Sequence, residues 1–139
     1  MIIADTSGLL AAMDPDEVHH DACRAVVEGE RVPLLLSPFV LAELDYLVTR
    51  KLGTEAELAM LGDVAAGAYR LVPMDSGDVA SARSVVDLYR DLGIGLTDAS
   101  VVVLAERYGT LDVLTLDERH FRVMRSDKGD TFRLLPADR

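Results

Sequence analysis

Four acidic residues carry the chemistry that this sequence is equipped for: Asp5, Glu43, Asp98 and Asp117. Asp5 directly follows the apolar run Met1 to Ala4, and Asp117 directly follows Val113 to Leu116, so each sits where a buried strand gives way to a polar turn. Parallel strands would bring both carboxylates to one sheet edge, the carboxyl edge outside which open α/β sheets bind ligands. Asp98 follows Gly93-Ile94-Gly95 and precedes Val101, Val102 and Ala105 by three, four and seven residues, in line with a buried helix face. Glu43 has Val40 three residues before it and Leu47 four after, so its side chain is expected on an apolar stripe. An unpaired carboxylate buried there costs several kcal/mol, and such a group is normally protonated, paired or bound to a metal.

Each acid also has a plainer explanation. Asp5 and Asp117 are well placed to cap helix N-termini. Thr97 is a better cap than Asp98, which leaves Asp98 in a first turn where the helix dipole favours a carboxylate. Glu43 is explained equally by a salt bridge, and Asp45 on the neighbouring face is expected to be solvated. Together, however, four clustered carboxylates would repel and raise one another's pKa unless a cation sat among them. Oxygen donors without Cys or His select Mg²⁺ or Mn²⁺ over Zn²⁺. Such an ion activates water for in-line attack on a phosphodiester, so hydrolysis of that bond is the expected chemistry.

Strands and helices must position these groups. Besides the runs before Asp5 and Asp117, strands are expected at Leu34 to Leu36, Tyr69 to Val72 and Phe132 to Leu135. Helical spacing links Val18, Ala22, Ala25 and Val26, then Leu58, Leu61, Ala65 and Ala68, then Val79, Ala82, Val86 and Tyr89. A helix from Pro38 to Lys51 stops before Gly53, Thr54 caps the next, and Ala99 to Ala105 is apolar on nearly every side, as a buried helix is. Alternating strands and helices predict a three-layer α/β/α sandwich around a mostly parallel sheet, with residues 1–139 as one domain.

The 14 basic and 24 acidic residues give a net charge of −10, which opposes nucleic-acid binding by phosphate neutralisation. Six of the cations (Arg119, Arg122, Arg125, Lys128, Arg133, Arg139) fall between 119 and 139, which allows a local basic rim. The lone Cys23 precludes an intrachain disulfide and is expected to be buried and inert. No membrane helix or signal leader is evident, so a cytoplasmic setting is expected. His19 and His20 point to different sides of a helix and are expected on the surface. His120 lies three residues past Asp117, and packing is expected for it ahead of substrate contact. The aromatics are too scattered for a base-stacking platform.

The ordered set Asp5-Thr6-Ser7, Ser37-Pro38 with Ala42-Glu43-Leu44, Leu96-Thr97-Asp98-Ala99, and Thr115-Leu116-Asp117 with His120-Phe121 resembles the PIN-domain ribonucleases, specifically VapC-like toxins of toxin–antitoxin pairs. The resemblance spans nearly the whole chain and rests on order and on spacings of 38, 55 and 19 residues (5 to 43, 43 to 98, 98 to 117). It implies a metal-dependent endoribonuclease with Asp5 and Asp98 as principal ligands, Glu43 and Asp117 completing the site, and Thr6 or Thr115 supplying a supporting hydroxyl. It further implies an RNA substrate, a homodimer and a VapB-like antitoxin. Gly8 stands where relatives often carry alanine, a change expected to loosen the first turn by up to about 1 kcal/mol. The alternatives are a phosphotransfer domain using strand-end aspartates, which would want an acid where Ser7 stands, and a non-catalytic acidic module that grips a basic partner.

Overall fold

The computed structural model describes residues 1–139, and each expected apolar run contributes a short strand. These are β1 (Ile3–Ala4), β2 (Leu35–Leu36), β3 (Arg70–Leu71), β4 (Asp112–Leu114) and β5 (Arg133–Leu135). They pair in the order β3-β2-β1-β4-β5, and every ladder is parallel. Parallel neighbours need long crossovers, which the helices supply: α1 (Thr6–Met13), α2 (His20–Gly29), α3 (Pro38–Leu52), α4 (Thr54–Ala65), α5 (Ser76–Leu88), α6 (Leu96–Tyr108) and α7 (Glu118–Phe121). Helices flank the sheet as the three-layer expectation required, and none is long and apolar enough to cross a membrane.

The strand order decides where a site can form. From β1 the chain winds outward to β2 and β3, then returns past β1 to β4 and β5. The winding therefore reverses between β1 and β4, and at such a point the carboxyl ends of neighbouring strands diverge to leave a crevice. The Asp5 amide donates to the Leu114 carbonyl (3.0 Å), which extends the β1–β4 pairing to the lip of that crevice.

Gly8 overturns the expectation placed on it. A Cβ at this position would lie 2.6 Å from the Leu114 carbonyl oxygen and 2.7 Å from Leu114 Cγ. Glycine does not loosen the first turn; its bare backbone is what lets α1 lie directly on β4.

Helix α3 starts as expected, with Pro38 in its first turn and the Ser37 hydroxyl accepting from the Phe39 amide (3.1 Å). Three other boundaries differ. Gly53, at φ 90°, takes the cap position before α4, so Thr54 is the first helical residue. Gly95 rather than Thr97 precedes α6, although Asp98 does lie in its first turn. Helix α2 begins only at His20, leaving Val18 outside it and 85% exposed.

Two apolar stripes were assigned to the wrong helix faces. In α2 Val26 is buried as expected, but Cys23 is buried with it in place of the exposed Ala22 and Ala25; in α4 the buried residue is Met60, flanked by the half-buried Ala56 and Val64. Leu58 and Leu61 are exposed. An alanine-rich helix presents more than one apolar stripe, and packing of α4 on α3 selects the one with Met60. The buried helix α6 is as expected, with Ala99 to Ala105 inaccessible throughout.

Candidate metal centre

All four acids line one open cavity of about 240 Å³ on the carboxyl edge of the sheet, together with Thr6, Ser7, Thr97 and His120. Each arrives from a different place: Asp5 from the end of β1, Glu43 from α3, Asp98 from the first turn of α6, and Asp117 from the turn after β4.

Asp5 is buried and does not cap α1 with its side chain. Its Oδ2 instead accepts hydrogen bonds from Thr115 Oγ1 (2.7 Å) and Ser7 Oγ (3.0 Å). The direction of these bonds is set by the backbone. Ser7 Oγ accepts from the Leu116 amide (2.9 Å) and Thr115 Oγ1 from the Asp117 amide (3.0 Å), which leaves each hydroxyl hydrogen free for the carboxylate. Burial pushes the Asp5 carboxyl above its ordinary range, the hydroxyls and the Thr6 amide oppose that rise, and the Asp117 charge adds to it. Thr115→Val removes a donor from Asp5 and an acceptor from the Asp117 amide. Urea unfolding should show a loss of about 1–3 kcal/mol; unchanged stability would show that the hydroxyl does not hold Asp5.

Asp117 does cap α7, its Oδ1 accepting from the His120 amide (3.1 Å), so capping and membership of the site coexist. The other oxygen lies 2.8 Å from His120 Nδ1, which is also 3.4 Å from Asp98 Oδ2. Packing was expected for His120, but the structure places its ring between two acids of the site. Asp98, Asp117 and His120 offer ligand atoms all within 4.8 Å of one another. The Asp98 carboxyl is pushed up to about 6 by burial first, then by the charges of Asp5, Asp117 and Glu43, with His120 opposing.

Glu43 is exposed, contrary to expectation. The buried positions of α3 are Val40, Leu44 and Val48, a stripe one residue removed from the one inferred. It reaches the cavity from the helix flank, so no burial cost has to be explained. Asp45 is the more enclosed of the pair: burial leaves its Oδ1 without a partner, and the neighbouring Glu57 carboxyl raises its pKa.

Two features escaped sequence reasoning. Ser7, which orients Asp5 and bridges to Leu116, was passed over although it lies within the quoted Asp-Thr-Ser run. The second is a fully buried contact between Ser37 and Ser100 (2.7 Å). Ser100 donates onward to the Thr97 carbonyl (2.6 Å), tying the start of α3 to the turn that carries Asp98. Sequence offers no signal for a pairing 63 residues apart. Cys23 is buried with its thiol pushed up to about 11 by desolvation, as an inert residue should be. His19 is exposed, whereas His20 is half-buried against the Ala11 carbonyl (2.8 Å).

The donors suit a hard divalent cation. Carboxylates of mixed exposure converge on one cavity, and Thr6 Oγ1, which belongs to a residue lining it, is buried with no hydrogen-bond partner. A buried hydroxyl without a partner calls for a water or an ion.

Residues 2–126 match the family model described as PIN domain. The chain is 43% identical over 135 residues to ribonuclease VapC26 of Mycobacterium tuberculosis, covering 97% of this chain and all of that protein. Among solved structures, VapC20 of M. tuberculosis, a Sarcin-Ricin loop cleaving toxin, superposes with a TM-score of 0.78 at 18% identity, over 84% of this chain and 90% of that one. The DNA-bound VapBC of Salmonella typhimurium gives 0.67 at 19% identity over 96% of each chain. At those identities the structural likeness speaks for the fold.

Proposed function

The chain belongs to the PIN-domain family, and we propose that it is a metal-dependent endoribonuclease, the toxin of a toxin–antitoxin pair, acting through Asp5, Glu43, Asp98 and Asp117. The observation that carries this is the convergence of these four carboxylates on one cavity at the point where the sheet reverses its winding. Whole-length identity to a ribonuclease supports RNA as the substrate.

A divalent cation, Mg²⁺ or Mn²⁺, would be held by Asp5, Asp98 and Asp117 with Glu43 at the flank, and supplies charge neutralisation and water activation for phosphodiester hydrolysis. The chain's own residues prepare for it. Ser7 and Thr115 fix Asp5 through one oxygen and leave the other uncommitted to a hydroxyl. His120 holds Asp117 and stands beside Asp98, which sets the spacing of two acids that would otherwise repel. Thr6 contributes an unpartnered hydroxyl to the same cavity.

Three of the six C-terminal cations are engaged elsewhere. Arg122 pairs with Glu118 and Asp138, Arg133 pairs with Asp112, and Arg125 donates to backbone carbonyls. Arg119, exposed on α7 beside the site, is the cation placed to meet an RNA phosphate. An acidic groove also suits a partner segment rich in Arg or Lys, as a VapB-like antitoxin would supply, and the toxin is expected to work as a homodimer of one-domain chains.

Purified, partner-free protein should cut mixed cellular RNA with Mg²⁺ or Mn²⁺ and leave it intact in EDTA. Intact RNA under every metal, from protein shown to be folded, would overturn the ribonuclease assignment in favour of an acidic binding module.

A further inference from the structure

A second cavity, of about 280 Å³, lies on the same carboxyl edge of the sheet, beside the acidic one. Thr115 and Leu116 line it where β4 ends, Ala22 of α2 faces it, Pro136 and Ala137 close it after β5, and His19 and Glu118 supply polar groups to its lining. Thr115 also holds Asp5 through its hydroxyl, so a single residue separates this cavity from the carboxylates. We propose that it receives the nucleobase adjoining the scissile phosphodiester, and that it favours bases with an exocyclic amine over uracil. This rests on the ribonuclease assignment above.

Size selects the class of occupant. Sites for drug-sized ligands run from about 300 to 1,000 Å³, and this cavity, near the lower end, has ample room for one heterocycle. Alanine, leucine and proline give it walls suited to a ring face.

Glu118 also sets the preference among bases. Its Oε1 accepts from Arg122 Nε (3.2 Å) and Nη2 (2.7 Å), leaving Oε2 for another donor. The amines of cytosine, adenine and guanine can donate to it. Uracil offers only a ring N–H flanked by two carbonyl oxygens, and these repel a carboxylate. The cavity is preformed: the Arg122 guanidinium grips both oxygens of Asp138 (2.7 and 2.8 Å), and Asp138 Oδ2 accepts from the Leu134 amide (2.7 Å). These bonds pin the tail that carries Pro136 and Ala137, so little ordering remains for the ligand to impose.

The test is an NMR titration of isotope-labelled protein in EDTA with cytidine and with uridine, which needs no cleavage. Cytidine should shift the amides of Ala22, Leu116 and Ala137 and bind about fivefold to tenfold tighter than uridine. Glu118→Gln should erase that difference, and Ala137→Phe, a substitution at an exposed position, should block both nucleosides. Absent shifts at these amides, or shifts equal for the two nucleosides and indifferent to both variants, would overturn the proposal. Cut-site mapping on randomised RNA tests the underlying assignment separately. Cuts enriched beside an amine-bearing base, with the enrichment lost in Glu118→Gln, support both claims. Uncut RNA alongside cytidine-specific shifts would overturn the nuclease, and with it the placement beside a scissile bond, while leaving a nucleobase-binding cavity.

Discussion

Asp98→Asn is expected to lower metal-dependent RNA cleavage by more than about a hundredfold while making the metal-free protein more stable at neutral pH. Removing an outer partner of a metal ligand costs about 10–100-fold in affinity or activity, and loss of a ligand itself should exceed that. The stability gain follows from charge. With its carboxyl at about 6 in the folded chain, Asp98 retains a proton that the unfolded chain, at about 3.9, has already released. The metal-free protein therefore loses stability as pH rises from about 4 to 6, and above that carries the full cost, on the order of 1–3 kcal/mol.

The Asp98 side chain is only 19% exposed, so solvent screens little of this cost. Asparagine keeps the shape and removes the charge. In EDTA at pH 7.5 the urea midpoint of the variant should exceed that of wild type, and the gap should narrow as pH falls toward 4.5. Saturating metal reverses the order, since a ligand at a hundred times its Kd stabilises the wild type by about 2.7 kcal/mol. Equal responses of the two proteins to metal would show that Asp98 is not a ligand.

Gly8→Ala should lower the melting temperature by about 3 to 10 °C, from a destabilisation of about 1–3 kcal/mol in a chain of this size. The added methyl meets Leu114 O at 2.6 Å, an atom held in the sheet that already accepts from the Asp5 amide. Relief requires α1 to lift from β4, and that shift would also part Ser7 from Asp5 and Thr115. Activity measured well below the melting point should fall along with stability. A melting temperature within about 2 °C of wild type would show that the interface yields more easily than these distances allow.

The site was more legible in the sequence than the surfaces around it. Asp5 and Asp117 were found because a strand end is a local signal: an apolar run stops and a carboxylate follows. Asp98 stands out because it lies three, four and seven residues before Val101, Val102 and Ala105, in line with a helix face that is indeed buried. Glu43 does line the cavity, but not by the buried stripe inferred for it, since Val40 and Leu44, rather than Val40 and Leu47, define the buried face of α3. The same weakness misassigned Val18 and Leu58. Helical periodicity specifies a face only to within one residue, and tertiary packing then chooses among rival stripes. Ser7 and His120 each have one partner within three residues, Asp5 and Asp117, and that much was legible; their contacts to Leu116 and Asp98, like the Ser37–Ser100 pair, join distant parts of the chain and leave no trace in a window of neighbouring residues. Gly8 was misread for a related reason, because its role lies in the carbonyl it approaches 106 positions away (8 to 114).

The strand order also has a consequence for synthesis. β1 is made first and lies at the centre of the sheet, yet the neighbour that completes its active edge, β4, is among the last strands to leave the ribosome. Of the two hydroxyls that orient Asp5, Ser7 is a near neighbour in sequence, but Thr115 comes from the far side of the β1–β4 crossover and its own amide is held by the Leu135 carbonyl. Until β4 and β5 are in place, Asp5 therefore has only one of the two hydroxyl donors that orient it. The carboxylate cluster is thus completed only together with the sheet, so a partly folded chain carries the acids without the site.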